Sequence, residues 1–206
     1  GILTEGGTIL GTSRQNYVPG KDIVDDNGNS VIPSMLQTYN RLNLDCLVIM
    51  GGNGTQKSAK LIADAGMNVI TLPKTIDNDI WGTDTTFGFQ SAVDIATNVI
   101  DYIHSTVSYE IADRLEKLTG KEARVTVPGH YQRGGPPCPY DRVLATQFGV
   151  AAADLIINKQ YGRMVAVQGG QIVSIPLEDA ASKTKFLPVD HPMIQVARKM
   201  GISLGD

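Results

Sequence analysis

Apolar positions along the chain fall into two periods. In residues 31–42, Met35, Leu36, Tyr39 and Leu42 recur at helical spacing, and Pro33 falls in the first turn, where its missing N–H costs nothing. Residues 45–50 carry a continuous apolar run, C-L-V-I-M, bounded by turn residues. That pattern predicts a strand buried on both faces, as in a parallel sheet. Residues 56–65 read as a helix closed by Gly66, and 68–72 as the next strand. Helix, strand, glycine-rich loop, helix, strand is a βαβ unit, so the fold class is α/β. In such sheets ligands bind beyond the carboxyl ends of the strands.

The strongest amphipathic pattern is residues 90–105. Ala92, Ile95, Ala96, Val99, Ile100 and Ile103 keep to one helical face. Residues 111–118 read as a helix stopped by Gly120, and 123–127 as a strand ending at Pro128-Gly129. Residues 141–157 form a helix with Leu144, Phe148, Ala151, Ala152 and Leu155 on one side. A short β pair, 164–167 and 172–175, turns at Gly169-Gly170, and a last helix, 191–200, ends at Gly201. Residues 1–14 read as a loop with a short apolar step. Residues 16–30, rich in Asp, Asn, Gly and Pro, read as a surface excursion.

Composition narrows the class. Hydrophobic residues make up 42% of 206, enough to bury a core and argue against disorder. The net charge of −3 argues against a nucleic-acid or anionic-membrane binder. No apolar run approaches the roughly 18 residues of a spanning helix, and the first residues carry no secretory pattern. With only Cys46 and Cys138, the expectation is a reduced, cytoplasmic chain.

Chemistry concentrates in residues 44–88. Gly51-Gly52-Asn53-Gly54-Thr55 lies after a strand and before a helix. There, backbone N–H groups and the positive helix end can hold a phosphate, and Thr55 can add a hydroxyl. It is not a Walker A loop, since no Lys-Ser/Thr pair ends it. Thr75-Ile76-Asp77-Asn78-Asp79 follows the next strand. If this segment is extended, Thr75, Asp77 and Asp79 share one side. Paired carboxylates suit proton abstraction, or Mg²⁺ held through oxygen for phosphoryl transfer. Asp77 fits chemistry best, whereas Asn78 and Asp79 suit turn capping equally well. Lys74 can neutralise phosphate or pair with Asp79, and Asp84 fits a turn role. Arg124, His130 and Arg133 cluster near one strand end, with guanidinium forks suited to phosphate.

These pieces resemble the 6-phosphofructokinase family. The matching segments are G-G-T-I-L-G-T-S-R (6–14), G-G-N-G-T (51–55), P-K-T-I-D-N-D-I-x-G-T-D-x-T-F-G-F (73–89), R-V-T-V-P-G-H-Y-Q-R-G-G (124–135) and P-Y-D-R (139–142). The resemblance implies two Rossmann-like α/β/α lobes. Residues 1–109 would form the phosphoryl-donor lobe and 110–206 the rest of the sugar-phosphate lobe, with C-terminal elements crossing back. It implies phosphoryl transfer to the 1-hydroxyl of fructose 6-phosphate, with Mg²⁺ and with ATP or pyrophosphate as donor. Gly54 leaves room for ATP, while Lys74 is typical of pyrophosphate users, and ATP is favoured because position 54 acts in the pocket itself.

By the same resemblance, Asp77 is the base and Thr75 and Ile76 contact the sugar. Arg14 bridges the transferring group, and Arg14, Gln15, Gly52, Asn53, Gly54 and Thr55 line the donor. Arg124, His130, Tyr131, Gln132 and Arg133 hold the sugar phosphate, with Arg124 reaching in from a neighbouring subunit of a homodimer or homotetramer. Asn53 and Asp79 would take the metal. Three departures stand out. The family's opening G-G-D-x-P-G-x-N loop is missing. So is the middle of the sugar-binding lobe, with a junction near Tyr109 or Glu110. Asn53 stands where the family pattern has Asp. A non-catalytic sugar-phosphate-binding subunit is the rival reading.

Overall fold

The computed structural model describes residues 1–11, 16–18, 22–102, 109–122 and 129–205. In chain order its elements are β1 (Asn16–Val18), β2 (Asp22–Val24), α1 (Ile32–Arg41), β3 (Leu47–Gly51), α2 (Asn53–Asp64), β4 (Val69–Pro73) and α3 (Phe89–Tyr102). There follow α4 (Tyr109–Thr119), α5 (Pro139–Ile157), β5 (Arg163–Gln168), β6 (Gln171–Pro176), α6 (Leu177–Ser182) and α7 (Pro192–Lys199). Short 3-10 turns occupy Ile2–Thr4 and Tyr131–Arg133.

One four-stranded sheet runs β3-β4-β5-β6. β3, β4 and β5 are parallel, and β6 folds back antiparallel on β5. The side chains of β4 alternate between two cores. Ile70 and Leu72 join Val165 and Val167 of β5 under Leu144, Phe148, Ala152 and Leu155 of α5. Val69 faces the opposite way, with Ala59 and Ile62 of α2, Tyr39 of α1 and Leu177 of α6. Met164 and Ala166 of β5 pack with Ala180 of α6 and Ile80. The result is an α/β/α sandwich whose sheet draws strands from both sides of residue 110. Burial on both faces explains why β4, apolar but for the buried Thr71, shows no alternation of apolar and polar residues. β3 is an edge strand, and Val48 and Met50 remain exposed on the face that α5 leaves uncovered.

Element boundaries depart from the sequence pattern where small residues carry the chain. α2 begins at Asn53, three residues before the apolar period shows it. Gly52 is its extended N-cap, and the Gly52 carbonyl accepts the N–H of Gln56 at 3.0 Å. Glycine and asparagine are weak helix formers, so Asn53-Gly54 reads as loop. α5 likewise begins at Pro139, a favoured first-turn residue.

Within residues 16–30, expected as a surface excursion, β1 and β2 form a hairpin in which Asn16 opposes Val24. Three-residue strands are too short for periodicity to reveal. The hairpin is anchored by Ile23, which is buried among α1 and α2. α6 was also invisible in the pattern; it is one short helix pinned by the buried Leu177 and Ala180. The expected strand 123–127 and the end of the 90–105 helix, residues 103–105, lie outside the described residues. Among the described residues no helix is long and apolar enough to cross a membrane.

Candidate active site

The carboxyl ends of β3 and β4 finish in register, with Gly51 opposite Pro73. The backbone then locks the two following loops together. The N–H groups of Lys74 and the Gln56 side chain both donate to the Gly51 carbonyl at 3.1 Å. Gly51 has no room for a side chain, because a Cβ there would collide with Thr55. Gly52 lies so close to the second loop that a methyl on it would sit 3.6 Å from Cβ of Thr75. No side chain caps α2, so the first-turn amides of Asn53, Gly54 and Thr55 form a positive helix end beside Thr75. Around Gly54 the space is open.

The second loop is a turn rather than an extended segment. Thr75 Oγ1 accepts the N–H of Asp77 at 3.1 Å and donates to Asp77 Oδ2 at 3.0 Å. Asn78 then adopts a left-handed φ of 51°, a conformation asparagine tolerates. Its Oδ1 accepts the N–H of Thr86 at 3.0 Å and its Nδ2 donates to the Asp84 carbonyl at 3.2 Å. The expected common side for Thr75, Asp77 and Asp79 is thereby broken. Asp77 stays exposed and bonded to the half-buried Thr75, while Asp79 turns to Asn53. The Asn53 amide donates to Asp79 Oδ2 at 2.5 Å and to the Asp79 carbonyl at 3.2 Å. The remaining oxygens of that pair, Asn53 Oδ1 and Asp79 Oδ1, are buried and lack hydrogen-bond partners. Lys74 is exposed, and the ion pairs among the described residues include none between Lys74 and Asp79.

Residues beyond the loop hold it in place. Asp84 is structural: its Oδ2 accepts the N–H of Gly169 at 2.7 Å, and its own N–H donates to Val167 at 2.8 Å. Phe87 meets Phe148 of α5 edge-on, with ring centres 6.1 Å apart. Lys185 carries no signal in the sequence, yet it grips this loop from the far end of the chain. Its backbone N–H donates to the Asp79 carbonyl at 2.9 Å. Its ammonium donates to the carbonyls of Asp84 at 2.7 Å and Thr83 at 3.1 Å. Burial pushes the Lys185 pKa below its ordinary value, against the opposing pull of Asp84 and Asp79.

The acceptor-side segment runs along α3. Tyr131–Arg133 packs against that helix, and Gly135 approaches Ile95. His130, Tyr131 and Arg133 are exposed, and Gln132 is half-buried. Gly6 packs directly onto the Gly135 carbonyl, which draws the N-terminal segment to the same place. The first turn of α3 adjoins the base loop, where Thr86 Oγ1 donates to the Thr75 carbonyl at 2.9 Å. Ile76 is half-buried within that loop. Arg14, Gln15 and Arg124 lie outside the described residues.

Comparison with known proteins bears on this arrangement. The family model for phosphofructokinase matches residues 1–109 and 106–156, two pieces that meet at the junction expected near Tyr109. The chain is 39% identical to the ATP-dependent 6-phosphofructokinase of Spirochaeta thermophila, covering 100% of this chain and 82% of that protein. It is 37% identical to ATP-dependent 6-phosphofructokinase 3 of Bacteroides thetaiotaomicron, covering 100% and 83%. The first alignment extends over 300 positions against 206 residues here, so that relative carries a long internal segment absent from this chain. Among solved structures, Pichia pastoris phosphofructokinase in the T-state matches with a TM-score of 0.70 at 21% identity, over 88% of this chain and 29% of that one. The Saccharomyces cerevisiae enzyme gives 0.69 at 20%, over 87% and 36%. These two share the fold.

Proposed function

This chain belongs to the phosphofructokinase family, and from that premise we propose that it transfers the γ-phosphoryl group of ATP to the 1-hydroxyl of fructose 6-phosphate. The observation that carries this reading is the register of two loops. The uncapped N-terminus of α2 adjoins Thr75, whose hydroxyl orients Asp77. ATP as donor is supported by the names of the full-length relatives and by the open space at Gly54.

In this reading the amides of Asn53, Gly54 and Thr55 hold the donor phosphates, which the positive helix end favours. Asp77 accepts the proton of the attacking hydroxyl. Thr75 occupies Asp77 Oδ2, so the proton goes to Oδ1. His130, Tyr131, Gln132 and Arg133 bind the sugar phosphate. Ile76 borders the sugar, and Arg124 and Arg14, with Gln15, take the roles that the resemblance assigns them.

Mg²⁺ fits the pair Asn53 and Asp79. Each offers a buried oxygen without a partner, and one carboxylate with one amide suits a cation that otherwise binds waters and phosphates. Among the described residues no cluster of three His, Cys, Asp or Glu competes as a metal site. When bound, Mg²⁺ would neutralise charge on the donor phosphates.

The same reading divides the chain into a donor lobe, 1–109, and part of a sugar-phosphate lobe, 110–206, with C-terminal elements such as β5 and β6 crossing back to the donor lobe's sheet, in a cytoplasmic homodimer or homotetramer acting in glycolysis. Exposed Val143, Val150 and Ile157, one apolar stripe on α5, support an assembly. A coupled assay with fructose 6-phosphate and either ATP or pyrophosphate tests the function. Turnover with ATP is expected. Sugar-phosphate binding without turnover on either donor would make this a non-catalytic subunit, and turnover with pyrophosphate alone would reassign the donor.

A further inference from the structure

One buried carboxylate has no part in the reaction. Asp141 is 3% exposed and lies in the first turn of α5. Its Oδ2 accepts two hydrogen bonds from a single residue of another helix, from the Ser91 N–H at 2.8 Å and from Ser91 Oγ at 2.6 Å. Ser91 Oγ in turn accepts the N–H of Cys138 at 2.9 Å, and the Cys138 thiol lies 3.7 Å from Asp141 Oδ2. Cys138 is the N-cap of α5 and the last residue of the segment that carries His130 and Arg133. A single carboxylate therefore joins the first turn of α3, the first turn of α5 and the end of the acceptor segment.

Burying a carboxylate is costly unless hydrogen bonds and dipoles compensate it. Here two helix N-termini and two charge-assisted bonds to Oδ2 offset part of that cost, while Oδ1 is buried without a partner. What the arrangement adds beyond filling space is direction. The turn that leads into α3 already ties back to the base loop, through the bond from Thr86 to the Thr75 carbonyl. α3 holds the acceptor segment along its side, where Gly135 meets Ile95. The bonds through Ser91 fix where along α3 that segment ends, and so how far His130 and Arg133 stand from Asp77.

We propose that Asp141 is a positioning residue: through Ser91 it registers the 130–138 segment on α3, so that the two ends of the sugar phosphate are met together. The proposal rests on the function given above for the same site.

Three variants test it: Asp141→Leu, Asp141→Asn and Ser91→Ala. Loss of the junction raises KM for fructose 6-phosphate about tenfold, the scale of one lost charge-assisted bond. It leaves KM for ATP unchanged and kcat within a few-fold. Asp141→Asn keeps an oxygen that accepts both Ser91 hydrogens, and it restores KM. Amide hydrogen exchange across residues 129–138 in the unliganded protein gives a readout independent of turnover. Exchange accelerates in Asp141→Leu and Ser91→Ala and stays at the parental rate in Asp141→Asn. Should Asp141→Leu fail to fold, Ser91→Ala decides, since it keeps the backbone bond to Asp141 and removes the hydroxyl's bonds to Asp141 and Cys138. Unchanged exchange in folded variants, or KM values for both substrates rising together, overturns the proposal. A parent protein without turnover overturns the function instead, and the exchange rates then decide the role of Asp141 alone.

Discussion

The Asn53 carboxamide donates to the Asp79 side chain at 2.5 Å, at the point where the N-terminus of α2 meets the base loop. A neutral donor in this place satisfies one oxygen of the Asp79 carboxylate and leaves the other buried without a partner. Replacing Asn53 by Asp exchanges that hydrogen bond for repulsion between two carboxylates. Asn53→Asp is expected to lose roughly 1–3 kcal/mol in EDTA, about 2–10 °C in Tm. Mg²⁺ should return most of that loss and shift the parent's Tm less. Thermal melts with EDTA and with Mg²⁺ check this. An equal Mg²⁺ shift in both proteins would detach the metal from this pair.

Thr75 gives Asp77 a fixed orientation, accepting from its N–H and donating to its carboxylate. Asp77→Ser is expected to lower kcat by about 10²–10⁴-fold, the range of a lost general base, with KM for fructose 6-phosphate within a few-fold. Thr75→Val, which removes both bonds, should cost about tenfold in kcat. A near-parental rate for Asp77→Ser removes Asp77 from its role.

Gly51 and Gly54 are three residues apart and make opposite predictions. A side chain on Gly51 collides with Thr55, so Gly51→Ala should destabilise the fold by about 1–3 kcal/mol. Gly54 faces open space, and alanine in a first helical turn is at worst neutral for stability. Gly54→Ala should keep its Tm yet raise KM for ATP several-fold, and Gly54→Asp should raise it further. Unchanged ATP kinetics in both Gly54 variants would take this residue out of the donor pocket.

Lys185 links stability to alkaline pH. Burial lowers its folded pKa below 10.5, so the native state releases this proton before the unfolded chain does. In the window just below 10.5 the unfolded state binds more protons, and stability contributed by this group rises with pH. Urea unfolding of the parent and Lys185→Met across roughly pH 8 to 10.5 should show the difference moving in the parent's favour. The other titrating groups cancel in that comparison. A difference that stays constant over the range refutes the assignment.

Much of the architecture is legible in periodicity. The helices α1, α3 and α5 and the strands β3 to β6 are long enough, or apolar enough, for their pattern to show. The G-G-N-G-T and T-I-D-N-D segments mark the candidate site because glycines beside carboxylates at strand ends serve little else so well. The hairpin of β1 and β2, the helix α6 and the early start of α2 were hidden. Each is short or built from weak formers, and is held by tertiary burial of Ile23, Leu177 or Ala180 rather than by local preference.

By itself, then, the amino-acid order determines an α/β chain, a glycine-rich anion loop and a pair of candidate acids. It does so because these depend on residues near one another along the chain. Tertiary structure alone decides that Asp77 and Asp79 part company at Asn78, one turning to Thr75 and the other to Asn53. It also decides that Lys185 braces their loop and that Asp141 ties the acceptor segment to α3. The bonds Asn53–Asp79, Ser91–Asp141 and Lys185–Asp84 join groups 26, 50 and 101 residues apart. No local pattern records such pairings, because they form only when the sheet brings its strand ends into register.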